Sequence, residues 1–166
     1  PALRDLAAQI GASLATHGDA VAFADVVLLA LPGAATARAT AALGPALDGK
    51  LVVDATNNPG GPVLNGLATL GEHAPGAVVA RAFNTLGWEN FADPDFGGTR
   101  ADVLWCGPDG DAGALVERLI TDVGLRPVRV GGLDQVQLVD TLAGLGLALA
   151  LGQGRGRHLA VKVLTR

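Results

Sequence analysis

Three apolar runs in this chain stop abruptly in small polar or turn-forming clusters, and that pattern limits the fold more than any other feature. Leu51-Val52-Val53 runs into Asp54-Ala55-Thr56-Asn57-Asn58-Pro59, Val78-Val79-Ala80 into Arg81-Ala82-Phe83-Asn84-Thr85, and Val26-Val27-Leu28-Leu29-Ala30-Leu31 into Pro32-Gly33. Parallel strands are buried on both faces and read as unbroken apolar runs, and their carboxyl ends open onto the crevice where α/β sheets bind ligands. The glycine-rich strand-to-helix turn that usually completes such a site does not precede the first run. The sequence therefore reads as a ligand-binding α/β domain that is N-terminally incomplete.

Helical and extended patterns alternate along the rest of the chain. Leu3, Leu6, Ala7 and Ile10 recur at helical spacing before Gly11, with Pro1 in the first turn. A brief strand is expected at residues 12–15, then a helical turn at 19–24 capped by Asp19, and a buried strand at 26–31. Residues 34–47 read as an alanine-rich helix ended by Gly49, and 51–55 as a strand. A helix at 63–70 follows Gly60-Gly61-Pro62, and strands are expected at 77–82 and 101–106. Residues 111–123, with Asp111 as N-cap, place Leu115, Val116, Leu119, Ile120 and Val123 on one face before Gly124. The last strand falls at 127–130. From Asp134 onward the chain is helical, and apolar nearly all round between 142 and 151, which predicts a buried C-terminal helix. This alternation predicts a doubly wound parallel sheet in a single domain over residues 1–166.

Composition narrows the function. Of 166 residues, 49% are apolar and only 17% charged, ample for a packed core. The net charge of −4 argues against a nucleic-acid binder that works by neutralising phosphates. Arg155, Arg157, His158, Lys162 and Arg166 read as the solvated end of a helix, and Cys106 as a small buried hydrophobe with no disulfide partner. The chain opens without a signal-peptide pattern, so the cytoplasm is expected. Residues 141–151 make up about half of the roughly 20 residues a membrane span needs, so no membrane association is expected.

The cluster from Asp54 to Asn58 offers a carboxylate, a hydroxyl and two amides after a buried strand, groups that suit a ribose or a carboxamide-bearing ring. Asn and Asp also simply make turns, and Phe83 also suits the core. A second strand end at Arg81-Ala82-Phe83-Asn84-Thr85 should face the same crevice. Gly152-Gln153-Gly154-Arg155-Gly156 is no dinucleotide fingerprint, since its spacing is wrong and no strand precedes it. His17, His73 and His158 stand apart from any carboxylate or cysteine at metal spacing, so no metal site is expected. No Gly-x-Ser-x-Gly elbow or Cys-His pairing supplies a nucleophile, and no catalytic residue is named.

These motifs, with Cys106-Gly107-Pro108-Asp109, Gly124-Leu125-Arg126-Pro127 and the tail Gly152 to Arg157, resemble the NADP-dependent oxidoreductases typified by reduced coenzyme F-420:NADP oxidoreductase. The chain also resembles the cytosolic domain of the six-transmembrane epithelial-antigen metalloreductases. The resemblance implies a Rossmann-like NAD(P)-binding domain in which Leu31 and Pro32 line the dinucleotide. It further implies that Thr56, Asn57, Asn58 and Pro59, with Ala82, Phe83, Asn84 and Thr85, flank the nicotinamide and a second ring. The implied activity is hydride transfer between NADP(H) and a deazaflavin (coenzyme F-420), a flavin or another small acceptor. Such chemistry resides in the cofactors, and the protein orients them and excludes water. A non-catalytic module sensing NAD(P)H is the alternative, and a reductase of imines or carbonyls would want a proton donor near Asn84. The family's opening strand and glycine-rich loop have no counterpart in this sequence. The 166-residue chain alone is therefore expected to bind NADPH weakly or not at all, and a Gly-x-Gly-x-x-Gly turn is expected upstream. A homodimer is expected if the C-terminal helix is partly exposed.

Overall fold

The computed structural model describes residues 2–166; Pro1, read above as part of the first helical turn, lies outside the described residues. Helices α1 (Ala2–Gln9) and α2 (His17–Phe23) precede β1 (Val26–Leu29), after which α3 (Gly33–Leu43) leads to β2 (Leu51–Asp54) and α4 (Leu67–His73) to β3 (Val78–Arg81). The single turn α5 (Glu89–Ala92) leads to β4 (Asp102–Trp105), α6 (Gly110–Asp122), β5 (Arg126–Arg129) and α7 (Val136–Leu147).

β1, β2 and β3 form one parallel sheet in that order, and β4 and β5 a second parallel pair. The two are linked at an antiparallel bridge between Arg81 and Cys106, so the sheet is not parallel throughout. A parallel return requires a crossover, usually a helix of some length. Between β3 and β4 the chain supplies only the one turn of α5.

Side chains alternate across the three-stranded sheet, as a pleat requires. Leu29 and Val52 pack with Val21, Leu47 and Leu70 on one face. Leu51, Val53 and Ala80 pack with Trp105, Val116, Ile120 and Leu125 on the other. β2 is buried at every position, but β1 is not: Leu29 is 4% exposed and its neighbour Leu28 54%. The strand expected at 26–31 is thus shorter and half open.

Several boundaries differ from those expected, each for a local reason. Residues 12–15 form no strand; they are exposed and pair with none. α2 is capped by Thr16, whose Oγ1 accepts from the Asp19 amide at 3.1 Å and donates to the Asp19 carboxylate at 2.7 Å, so Asp19 completes the cap from inside the helix. α3 stops at Gly44, which adopts φ 43° before Pro45, and residues Gly44–Leu47 tighten into a 3₁₀ turn. α4 starts at Leu67 because Asp54 and Asn65 accept the Gly66 and Leu67 amides at 2.8 and 3.1 Å. α6 is preceded by Asp109, which pairs with Arg129 at 2.8 Å instead of capping, and Asp111 lies in the first turn.

The C-terminal helix buries one face only. Val139, Asp140 and Ala143 are buried, whereas Leu138, Leu145 and Leu151 are more than half exposed. The helical run Leu133–Gly152, 20 residues with its 3₁₀ and π-helical ends, is long and apolar enough by length and composition to cross a membrane. It is longer than the apolar stretch counted from sequence. Beyond it the basic residues do not end a helix. They lie on an irregular tail along the sheet, where Asp102 N donates to Val161 O at 3.1 Å and Lys162 Nζ donates to Asp102 at 3.0 Å.

Candidate ligand site at the ends of β2 and β3

Asp54 closes β2 and is fully buried. Its Oδ1 accepts from the Thr56 amide at 2.9 Å and the Thr56 hydroxyl at 2.6 Å, while Oδ2 accepts from Gly66 N at 2.8 Å. These two side chains satisfy each other and shape the loop, as buried polar groups must. One strand over, Arg81 closes β3 with its side chain fully buried. Its Nε and one terminal nitrogen donate to Asp140 Oδ1 at 2.9 and 2.8 Å, and its other terminal nitrogen to Thr56 O and, at 3.2 Å, to Asp54 O. A further contact reaches Asn57 Oδ1 at 3.3 Å. Arg81 therefore ties the β2 loop to α7, and a guanidinium is the side chain whose fixed fork can serve so many acceptors together.

After β3 the chain turns sharply at Phe83, which adopts φ 63°, a left-handed conformation that an aromatic residue adopts only under strain. The turn sends consecutive side chains to different places. Phe83 faces a wide apolar cavity of about 960 Å³ beside β1, which it shares with Leu31, Pro32, Asn57, Leu119 and Val123. Asn84 and Thr85 line a smaller cavity of about 350 Å³ with Asn57 and Pro59, and Ala143, Gly146 and Leu147 of α7 form its facing wall. Asn57, Leu86 and Arg157 border both cavities. The two loops touch directly, as Asn57 Nδ2 donates to Asn84 O at 2.8 Å and Pro32 bridges Asn57. Gly33 permits that approach, since a Cβ there would meet Asn58 and lie 2.7 Å from Asn57 O.

Of the residues singled out from sequence, Leu31, Pro32, Asn57, Pro59, Phe83, Asn84 and Thr85 line these cavities. Thr56, Asn58 and Ala82 do not. Thr56 is held by Asp54, Asn58 is the turn residue whose carbonyl accepts from Gly61 N at 3.0 Å, and Ala82 is fully buried in the core. Asp54, suited in sequence to a ribose, is spent internally. Residues 152–156 form the π-helical end and exposed coil, with no strand before them.

Sequence reasoning missed Asp140, Gly146 and Arg157. Asp140 left a signal, being the one charged residue in the apolar run 136–151. Arg157 reaches the cavities because Asn90 Nδ2 donates to Arg157 O at 3.0 Å and Glu89 pairs with its Nε at 2.7 Å. A backbone hydrogen bond at Glu89, aided by Arg157, holds the Glu89 carboxyl below its ordinary range against the opposing effect of burial. Burial pushes the Cys106 thiol up to about 11, which fits an inert core position.

Two polar atoms at the smaller cavity stand out. Asn84 Oδ1 and Thr85 Oγ1 are buried without a hydrogen-bond partner among the described residues, and Asn84 is only 3% exposed. Leaving such groups unpaired costs on the order of 1–3 kcal/mol each, so a ligand that pairs them gains by it.

The model of the family described as NADP oxidoreductase, coenzyme F420-dependent, matches residues 2–58. The chain belongs to this family. A candidate F420-dependent NADP reductase of Arthrobacter sp. FB24 superposes with a TM-score of 0.79 at 25% identity, over 93% of this chain and 76% of that one. A hypothetical protein from Sinorhizobium meliloti is 32% identical with a TM-score of 0.63, over 80% of this chain and 69% of that one. A pyrroline-5-carboxylate reductase from Coxiella burnetii, 17% identical with a TM-score of 0.59, shares the fold over 92% of this chain and 57% of its own. No curated protein matches the chain. The Rossmann-like fold of the F420-dependent NADP oxidoreductase family is therefore present, and its family match includes Leu31, Pro32 and Asn57 but ends before Asn84.

Proposed function

We propose that the protein is an NADP(H)-dependent oxidoreductase whose second substrate is a deazaflavin such as coenzyme F-420, a flavin or another small acceptor. The observation that carries this reading is the pair of cavities meeting at Asn57, one apolar and wide, the other lined by the unpaired Asn84 Oδ1 and Thr85 Oγ1. A nicotinamide cofactor fits this lining, since a planar ring with an amide at its edge suits apolar walls and a buried acceptor. When bound, NADPH supplies the hydride. Leu31, Pro32 and Phe83 would line the dinucleotide, while Asn57, Pro59, Asn84 and Thr85 would flank the rings and exclude water.

Asp140 does not act as the proton donor that an imine or carbonyl reductase would want, because Arg81 and Asn65 already occupy its two oxygens. The molecule would work in the cytoplasm without a membrane, since Asp140 anchors α7 to the sheet through Arg81, and its exposed leucines would meet a second copy. Fractionation and sedimentation check this by finding a soluble dimer.

Oxidation of NADPH by the full-length protein with coenzyme F-420 or FMN as acceptor tests the activity. Asn84→Ala should cost about 1 kcal/mol, roughly a fivefold loss of turnover, with the fold intact. NADPH binding without oxidation by any deazaflavin, flavin or quinone would establish the sensing module instead, and unchanged kinetics in Asn84→Ala would remove that residue from the site.

A further inference from the structure

Asn84 raises a question that its position at the cavity alone does not answer: which end of the amide faces the ligand. The amide nitrogen lies 3.4 Å from Asp140 Oδ1, and a carboxylate can only accept. Asp140 is itself fixed, with Arg81 on Oδ1 at 2.8 and 2.9 Å and Asn65 on Oδ2 at 2.6 Å. A reversed amide would set its carbonyl oxygen against that carboxylate. The backbone is pinned as well, since Asn84 O accepts from Asn57 Nδ2 at 2.8 Å. Asn84 Oδ1 is therefore the end left without a partner, beside a wall of Ala143, Gly146 and Leu147 that offers no donor.

Resting on the oxidoreductase reading, we propose that Asp140 is a positioning residue that fixes the Asn84 amide with its oxygen toward the ligand, so that the cavity selects planar rings carrying an N–H donor at their edge. Two ring systems share that chemistry: the carboxamide of a nicotinamide and the imide of a flavin-type pyrimidinedione. A ring that presents only acceptors, or a methyl group at that edge, leaves Asn84 Oδ1 buried and unpaired and is rejected. Sites built around a hydrogen bond discriminate strongly against analogues that lack it.

The test measures dissociation constants in the full-length protein for two pairs of probes. The first is NADP and its 3-acetylpyridine analogue, in which a methyl group replaces the amide nitrogen. The second is riboflavin and N3-methylriboflavin. The wild-type protein should bind the donor-bearing member of one pair about tenfold more tightly, and the pair that shows the preference identifies which ring occupies the cavity. Asn84→Leu and Asp140→Ala should each bring that ratio near one, and Asp140→Asn, which retains an acceptor for the amide, should restore part of it. A purely structural defect weakens both members alike and leaves the ratio standing. Should Asp140→Ala fail to fold around the stranded Arg81, Asp140→Asn and Asn84→Leu carry the comparison. A ratio near one in both pairs for the wild type, or one that survives Asn84→Leu or Asp140→Ala, overturns the inference while NADPH turnover in the same preparations leaves the oxidoreductase reading intact. Failure to bind any of the four probes overturns both.

Discussion

The ends of β2 and β3 and the flank of β1 belong to the same sheet but are built on opposite principles. At the former, Arg81, Asp54, Thr56, Asn57 and Asp140 form a network of paired polar groups, and the unpaired atoms beside it, Asn84 Oδ1 and Thr85 Oγ1, lie at the cavity. At the latter, Leu28 stands 54% exposed above a wide cavity whose lining is mostly apolar, with polar side chains only at its margin, Asn57 and Arg157. A polar network of this kind fixes geometry, because each member is held by several others, whereas an apolar wall fixes only shape. Under the proposed function the network would set where individual ligand atoms go, and the apolar flank would provide area. Asn57 sits at the seam and belongs to both.

The largest effect is expected from removing the hub of the network. Arg81→Met removes the partner of the buried Asp140 carboxylate and of Asp54, whose Oδ2 lies 3.3 Å from the guanidinium, and urea unfolding should show a loss of about 3–5 kcal/mol. A loss under about 1 kcal/mol would mean that the network is not what holds the strand ends. Next in size is a contrast within β1. Leu29→Ala removes a buried side chain and should cost about 2–5 kcal/mol, while Leu28→Ala on the open face should stay within about 0.5 kcal/mol. Equal losses would show that the apolar flank is covered after all.

The smallest effect lies away from both regions, at Asp102. Burial opposes its charge, but hydrogen bonds from Arg126, Val163 N and Lys162 outweigh that and hold its carboxyl below the ordinary range. A depressed carboxyl stabilises the fold fully above its unfolded value of about 4, and the contribution is lost as pH falls through the folded value. The Val163 amide should therefore stay protected from hydrogen exchange near neutrality and lose protection on acidification below about pH 4. Protection that is independent of pH would detach the tail from Asp102.

What the sequence disclosed, and what it withheld, follows the same division. The strands were legible because Leu51-Val52-Val53 and Val78-Val79-Ala80 are short apolar runs that end in turn formers, a local signal. Asn57 and Asn84 were legible as partners because both follow strand ends. Thr56 and Asn58 line neither cavity, which the sequence does not disclose, because a hydroxyl or amide in a loop has the same local signature whether it faces a cavity or its own loop; their bonds to Asp54 and Gly61 form only in the fold. Asp140 and Arg157 come to the site through contacts spanning most of the chain, with Asp140 meeting Arg81 and Arg157 meeting Glu89. No window along the sequence contains that information. The exposure of α7 was misread because an apolar helix predicts burial against something without saying what.

The proposed function has Asn57 and Asn84, brought together by the ends of β2 and β3, contact the ring of a bound cofactor. Side-chain amide resonances of asparagine report this directly. Titrating NADP into the full-length, ¹⁵N-labelled protein should shift the Nδ2H₂ signals of Asn57 and Asn84 saturably and with one shared dissociation constant, while the exposed Gln137 on α7 stays unmoved. Saturable NADP binding that leaves both asparagines unshifted would place the cofactor elsewhere and overturn the proposed site.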